Sequence, residues 1–163
     1  AGLVADVELE RCDGSKVSGS SLKDCPLIAL YFSAHWCPPC QAFTPILKDL
    51  YDGVNDGGAL KKMEVIFISS DESQEAMHSY MKEAHADWLT VPFGHPLRNE
   101  MKRKYGICAG KEQSEVGVTT RVNGIPSLLI CKPDGTQVSL EGVEEAQDGP
   151  PAYKKWLAAV SAY

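Results

Sequence analysis

The chain has 163 residues, a net charge of −6, 44% hydrophobic and 23% charged residues, a balance that fits one globular domain with its own core. The longest apolar run, Leu27–Phe32, falls far short of the roughly 20 residues that a membrane-spanning helix needs. The acidic balance has no block of Lys and Arg, which argues against nucleic acid or an anionic membrane as the main partner.

Val7–Cys12 and Lys16–Ser18 flank Asp13-Gly14, a tight-turn dipeptide, and predict a hairpin within residues 1–20. Leu27–Phe32 has the continuous apolar pattern of a strand buried on both faces. Phe43, Ile46, Leu47, Leu50, Tyr51 and Val54 recur at helical spacing, so an amphipathic helix is expected, closed near Asn55–Gly58. Pro45 lies inside it and should kink it by removing one ladder bond. Met63–Ile68 predicts a second buried strand. Asp71 or Ser73 would then cap a helix to about His85, with Asp71, Glu72 and Glu75 complementing its dipole. Leu97–Tyr105 predicts a short helix ended by Gly106. Ser127–Cys131, the turn Pro133-Asp134-Gly135 and Gln137–Leu140 form a terminal hairpin, and Pro151–Ala162 a last helix. Strands alternating with helices and finishing in a hairpin predict an α/β fold, a central mixed β-sheet flanked by helices, in a single domain over residues 1–163.

Six cysteines stand at positions 12, 25, 37, 40, 108 and 131, too few for a disulfide scaffold. Only Cys37-Pro38-Pro39-Cys40 is a close pair, and no second CxxC completes a zinc ribbon. His78, His85 and His95 have no carboxylate at ligand spacing, and no metal is expected. Two intervening residues place both sulfurs on one turn, within reach of a disulfide. The prolines fit a first helical turn, where an N–H has no helical partner anyway. That register makes Cys37 the N-cap, with its sulfur at the positive end of the helix. Since the thiolate is the attacking species, Cys37 is the expected nucleophile. Cys40, one turn inward, would resolve the mixed disulfide.

Trp36 could cover the sulfurs and offer substrate a flat apolar contact, or be an ordinary half-buried aromatic. Ile125-Pro126 sits just before a strand. A cis bond there would set the backbone of Ile125 beside the cysteine pair to hydrogen-bond a bound peptide, while local sequence by itself favours trans. His35 could tune the thiolate or simply face solvent. Cys12, Cys25, Cys108 and Cys131 read as buried or incidental thiols, Cys108 being the one whose loop would expose it to oxidation. There is no glycine-rich phosphate loop, so no cofactor is implied and electrons must come from another dithiol or a reductase.

FSAHWCPPC, Pro45, WLTVPF at 88–93 and GIPSLLI at 124–130 together resemble the thioredoxin superfamily. More narrowly, they are similar to its tryparedoxin and nucleoredoxin branch over Leu27–Gly135. The resemblance implies a thioredoxin-like fold with an N-terminal β-hairpin extension and thiol–disulfide oxidoreductase activity. Cys37 would be the nucleophile, Cys40 the resolving thiol and Pro126 the cis-proline. Three departures stand out. Tyr31 occupies the position of the buried Asp of ordinary thioredoxins, so proton handling at Cys40 must use another group or water. Ser70 precedes Asp71 where tryparedoxins generally carry Trp. Residues 107–123 form an insertion before the cis-proline that should emerge near the active-site face and either shape partner choice or be a solvated, mobile loop.

The resulting expectation is a cytoplasmic, monomeric reductant of protein disulfides, with peroxiredoxins among its candidate substrates. An upstream dithiol donor would recharge it, trypanothione or an NADPH-linked reductase by resemblance. The alternatives are an exported or membrane-tethered reductase of the cytochrome-maturation type and a redox-sensitive adaptor for a signalling partner.

Overall fold

The computed structural model describes residues 4–56 and 61–161. The start of the expected 1–20 hairpin extension, the expected helix closure at 57–58 and the end of the last helix at Ala162 lie outside them. Strands β1 (Glu8–Arg11) and β2 (Lys16–Ser18) pair antiparallel around the Asp13-Gly14 turn, with Gly14 at φ +88°. A 3-10 turn over Gly19–Asp24 leads to β3 (Ile28–Ser33). Helix α1 (Pro38–Val54), β4 (Glu64–Ser69), α2 (Gln74–Ala84), β5 (Leu89–Thr90), α3 (Leu97–Tyr105) and the single-turn α4 (Gln113–Val116) follow. β6 (Ser127–Cys131), β7 (Gln137–Ser139), the short turn α5 (Gly142–Glu145) and α6 (Pro150–Ser161) complete the described chain.

The described residues form one seven-stranded sheet in the order β2-β1-β5-β4-β3-β6-β7. β3, β4 and β5 run parallel, and β6 runs antiparallel to β3 with Phe32 opposite Ser127. Every residue of β3 and β4 is buried, and alternation along them sorts the core into two layers. Ala29, Tyr31, Val65 and Phe67 face α1, α2 and α6 through Phe43, Leu47, Met77, Tyr80 and Trp156. Ile28, Leu30, Phe32, Ile66 and Ile68 face α3 and the N-terminal segment through Met101, Leu9 and Leu22. A continuous apolar run is what a strand covered on both faces requires.

The two-residue β5 is absent from the sequence reading. It is the hinge of the sheet all the same, because it pairs with β4 on one side and joins the N-terminal hairpin to the parallel core on the other. The join is reinforced by a buried carboxylate. Glu64 accepts from the Tyr51 hydroxyl at 2.7 Å and lies 3.5 Å from the Arg11 guanidinium.

The Ile107–Asn123 segment is built rather than loose. Ile107 bridges Asn123, Val122 N–H donates to the Gly106 carbonyl at 2.7 Å, and Cys108, Val116 and Val118 form a small core inside the segment. Cys108 is therefore buried, which corrects the expectation that the insertion exposes it: its side chain fills the apolar centre that folds the segment.

Candidate active site at the start of helix α1

Cys37 is the N-cap of α1 with extended backbone, Pro38 and Pro39 occupy the first two helical positions, and Cys40 follows. Neither proline has an N–H, so the first helical donor that can reach the cap is that of Cys40, and it points at Cys37 Sγ at 3.4 Å. Both cysteines are free thiols, and they differ in access. Cys37 keeps 5% of its surface exposed and Cys40 none, so only Cys37 stands at the opening. Burial pushes the Cys40 thiol well above its ordinary value, the neighbouring Cys37 sulfur adds to this, and the Ser33 hydroxyl works against it.

The loop before the cysteines is tied to the end of β4. Asp71 accepts from the His35 backbone N–H at 2.8 Å and from the Ser69 hydroxyl at 2.7 Å, and the Trp36 indole N–H donates to the Ser70 carbonyl at 3.1 Å. Of the two caps that the sequence allows, Asp71 or Ser73, the structure uses the second. Ser73 caps α2 through the Ala76 N–H at 3.1 Å, leaving Asp71 buried beneath the active-site loop. Burial holds the Asp71 carboxyl above the usual carboxylate value, with the Ser69 and His35 donors opposing. Glu72 likewise leaves the helix and pairs with Lys111 at 2.7 Å, while Glu75 stays in the first turn of α2. His35 stacks its ring on Tyr80, 5.0 Å between centroids, and reaches Glu83 at 3.1 Å.

Beneath Cys40 lies a cluster of hydroxyls that sequence reasoning did not find. Ser33 meets the Tyr80 hydroxyl at 2.6 Å, Tyr80 meets Thr44 at 2.6 Å, and Thr44 meets Tyr31 at 2.6 Å. All four residues are fully buried. Thr44 donates to the Cys40 carbonyl at 2.8 Å, so both tyrosines must donate to Thr44, and the Tyr80 oxygen is left as acceptor for Ser33. The one signal for this cluster was Tyr31 itself, a hydroxyl in an apolar run that had to find a buried partner.

The Ile125–Pro126 bond is cis, and Ile125 packs against Ala34, Cys37 and Cys40. Pro45 lies within α1, on the helix that carries the motif. Trp36 is 40% exposed, one of the two large hydrophobic side chains at the surface of the described residues, the other being Val122. The insertion reaches this face, with the Lys111 ammonium 3.8 Å from the centre of the Trp36 ring. Of the residues singled out from sequence, Cys37, Cys40 and Ile125 thus pack together, with the exposed Trp36 preceding them on the loop. His78 stands on α2 and Cys12 at the N-terminal hairpin, where both line a separate cleft. Cys25 and Cys131 are buried in the core layer that faces α3.

Comparison with known proteins agrees with this geometry. Residues 26–137 match a family model described as thioredoxin-like. Nucleoredoxin of Bos taurus is 33% identical over 82% of this chain, which spans 26% of that longer protein. Among solved structures, the thioredoxin of Wuchereria bancrofti is 38% identical with a TM-score of 0.75, covering 98% of this chain and 99% of that one. Thioredoxin related protein 16 of Carcinoscorpius rotundicauda is 38% identical with a TM-score of 0.70, covering 94% and 97%. Tryparedoxin of Trypanosoma brucei is 28% identical with a TM-score of 0.68, covering 90% and 88%. With the CxxC pair at a helix start beside a cis-proline, on a mixed sheet between two helical layers, the chain belongs to the thioredoxin-like family, in its nucleoredoxin and tryparedoxin branch.

Proposed function

We propose that the chain reduces protein disulfides through a dithiol cycle at Cys37 and Cys40. The observation that carries this reading is the asymmetry of the pair: an accessible sulfur capping a helix, with a fully buried thiol one turn behind it. The Cys37 thiolate attacks one sulfur of the target disulfide, a Cys37–target bond forms, and the other target sulfur leaves and takes a proton. Cys40 then gives up its proton and attacks Cys37 Sγ. The Cys37–Cys40 disulfide closes, and the second target sulfur leaves as a thiolate and is protonated. The target gains two electrons and the protein dithiol loses them. Trp36 and the Ile125 backbone flank the opening as the surfaces for the target chain, Trp36 by apolar contact and Ile125 by strand-like pairing.

The Ser33 hydroxyl supplies what a carboxylate does not here. While Cys40 is a thiol, Ser33 donates to the Tyr80 oxygen. When Cys40 ionises, the same proton turns to its sulfur and stabilises the thiolate. The upstream donor is a dithiol, either small like trypanothione or borne by a reductase, and protein disulfides such as those of peroxiredoxins are the substrates. The test is reduction of insulin by dithiothreitol with wild type, Cys37→Ser and Cys40→Ser. Acceleration by wild type alone supports the reading, and equal rates for all three refute it.

A second reading has one observation in its favour. The Carcinoscorpius protein, similar over nearly its whole length, has a role in regulating transcription factor NF-kB activity. A redox-dependent adaptor would use the same opening to bind a partner. Partner binding that persists in Cys37→Ser and Cys40→Ser, with no insulin reduction by wild type, would favour it.

A further inference from the structure

We propose that Lys111 is the specificity-determining residue of the active-site face, and that it selects disulfide-bearing segments carrying a carboxylate next to the target cysteine. This rests on the disulfide-reductase reading above. Lys111 is presented by an anchored neighbour. Glu112, the next residue, is anchored on three sides: it accepts from the buried Lys102 ammonium at 2.7 Å, from the Ala109 N–H at 2.7 Å, and from the Ser70 hydroxyl. The Ser70 carbonyl in turn holds the Trp36 indole N–H. The insertion and the tryptophan beside Cys37 therefore share one anchor. That anchor delivers Lys111 onto the ring face, 3.8 Å from its centre, where the ring quadrupole attracts the cation.

The second partner of Lys111 is replaceable. Glu72 and Lys111 pair at 2.7 Å with both side chains exposed, and such pairs contribute little in water. A target segment lying on Trp36 meets the ammonium that sits on the ring. Its carboxylate can take the place of Glu72 at little cost, while the ring keeps the ammonium in position. Lys111 also borders a cleft in which the carboxylates of Asp71, Glu72, Glu112 and Glu115 outnumber the cations, so the selecting charge is the ammonium at the ring and not the cleft behind it. Arg98 adds a second cation there, held by the Phe93 and Ser69 carbonyls at 2.8 and 2.9 Å.

The experiment mixes fully reduced protein with two peptides, each containing one intramolecular disulfide and differing only in whether Glu or Lys flanks the attacked cysteine. The readout is the ratio of their second-order reduction rates, which cancels any general change in reactivity. The wild type should prefer the Glu peptide by roughly two- to fivefold at low salt, as expected for an exposed charge pair, and the preference should shrink with added salt. Lys111→Glu should invert the ratio, Lys111→Ala should lower it, and Glu72→Gln should raise it by removing the competing carboxylate. A ratio that stays the same in all four proteins overturns the role of Lys111 while leaving the reductase reading intact. Failure of the wild type to reduce either peptide overturns both.

Discussion

Replacing Ser33 with Ala isolates the proton handling of the resolving thiol. The Ser33 hydroxyl favours the ionised Cys40 side chain, against a burial that disfavours it. A hydrogen bond to a charged sulfur is worth about 1.5–3 kcal/mol, which corresponds to roughly one to two pH units in the ionisation of Cys40. At any pH below that ionisation, the resolving step should slow by roughly 10- to 100-fold. Folding should suffer little, because Tyr80 still donates to Thr44 and no buried donor is stranded. Thr44→Val is the contrast: it removes the acceptor that Tyr31 and Tyr80 share, leaving Tyr31 the longer 3.5 Å contact to the Cys40 carbonyl and Tyr80 the Ser33 oxygen, and should cost about 1–3 kcal/mol in all. The assay is rapid-quench capture of the mixed disulfide with an oxidised target peptide, followed across pH by mass. Ser33→Ala should accumulate the Cys37 adduct and move the resolving limb to higher pH. A resolving limb identical to that of wild type would refute the reasoning.

Two further outcomes follow from the buried charges. Burial holds the Glu64 carboxyl above its ordinary value of 4.5, so just above that pH the folded chain keeps a proton that the unfolded chain has released. Stability from this group therefore falls as pH rises through the interval between the unfolded and folded values. Glu64→Gln keeps an acceptor for Tyr51 and does not titrate. The wild-type Tm should drop relative to the variant from about pH 4.5 upward, and parallel curves would contradict this. Lys102→Met leaves Glu112 without its cation and should cost about 3 kcal/mol, the range for breaking a buried pair. Amide exchange should then rise first in residues 107–123, and uniform exchange across the chain would contradict the anchoring role of Glu112.

Much of this was legible from the residues in order. β3 and β4 announce themselves as unbroken apolar runs because both faces are covered, and the register of the motif follows from proline chemistry at a helix start. What escaped depends on residues distant in the chain. Leu89–Thr90 is too short to show a pattern and becomes a strand only because β1 and β4 supply partners on both sides. Asp71 sits where a capping residue should, yet the His35 N–H, 36 positions away, claims its side chain. Cys108 reads as exposed because its segment has no long apolar periodicity, whereas its packing with Val116 and Val118 suffices to close a loop already clamped at its ends. Ser33, Thr44 and Tyr80 come from three separate elements, and only the packing of α1 and α2 on β3 brings their hydroxyls together.

The most direct measurement is the mass of the adduct that each single-cysteine variant forms with an oxidised target. Cys40→Ser, with its nucleophile intact and no resolving thiol, should form a stable one-to-one disulfide mapped to Cys37, and Cys37→Ser should form almost none. Adduct formation through Cys40, or none with either variant, would contradict the assignment of Cys37 as attacker and the fully buried Cys40 as resolver.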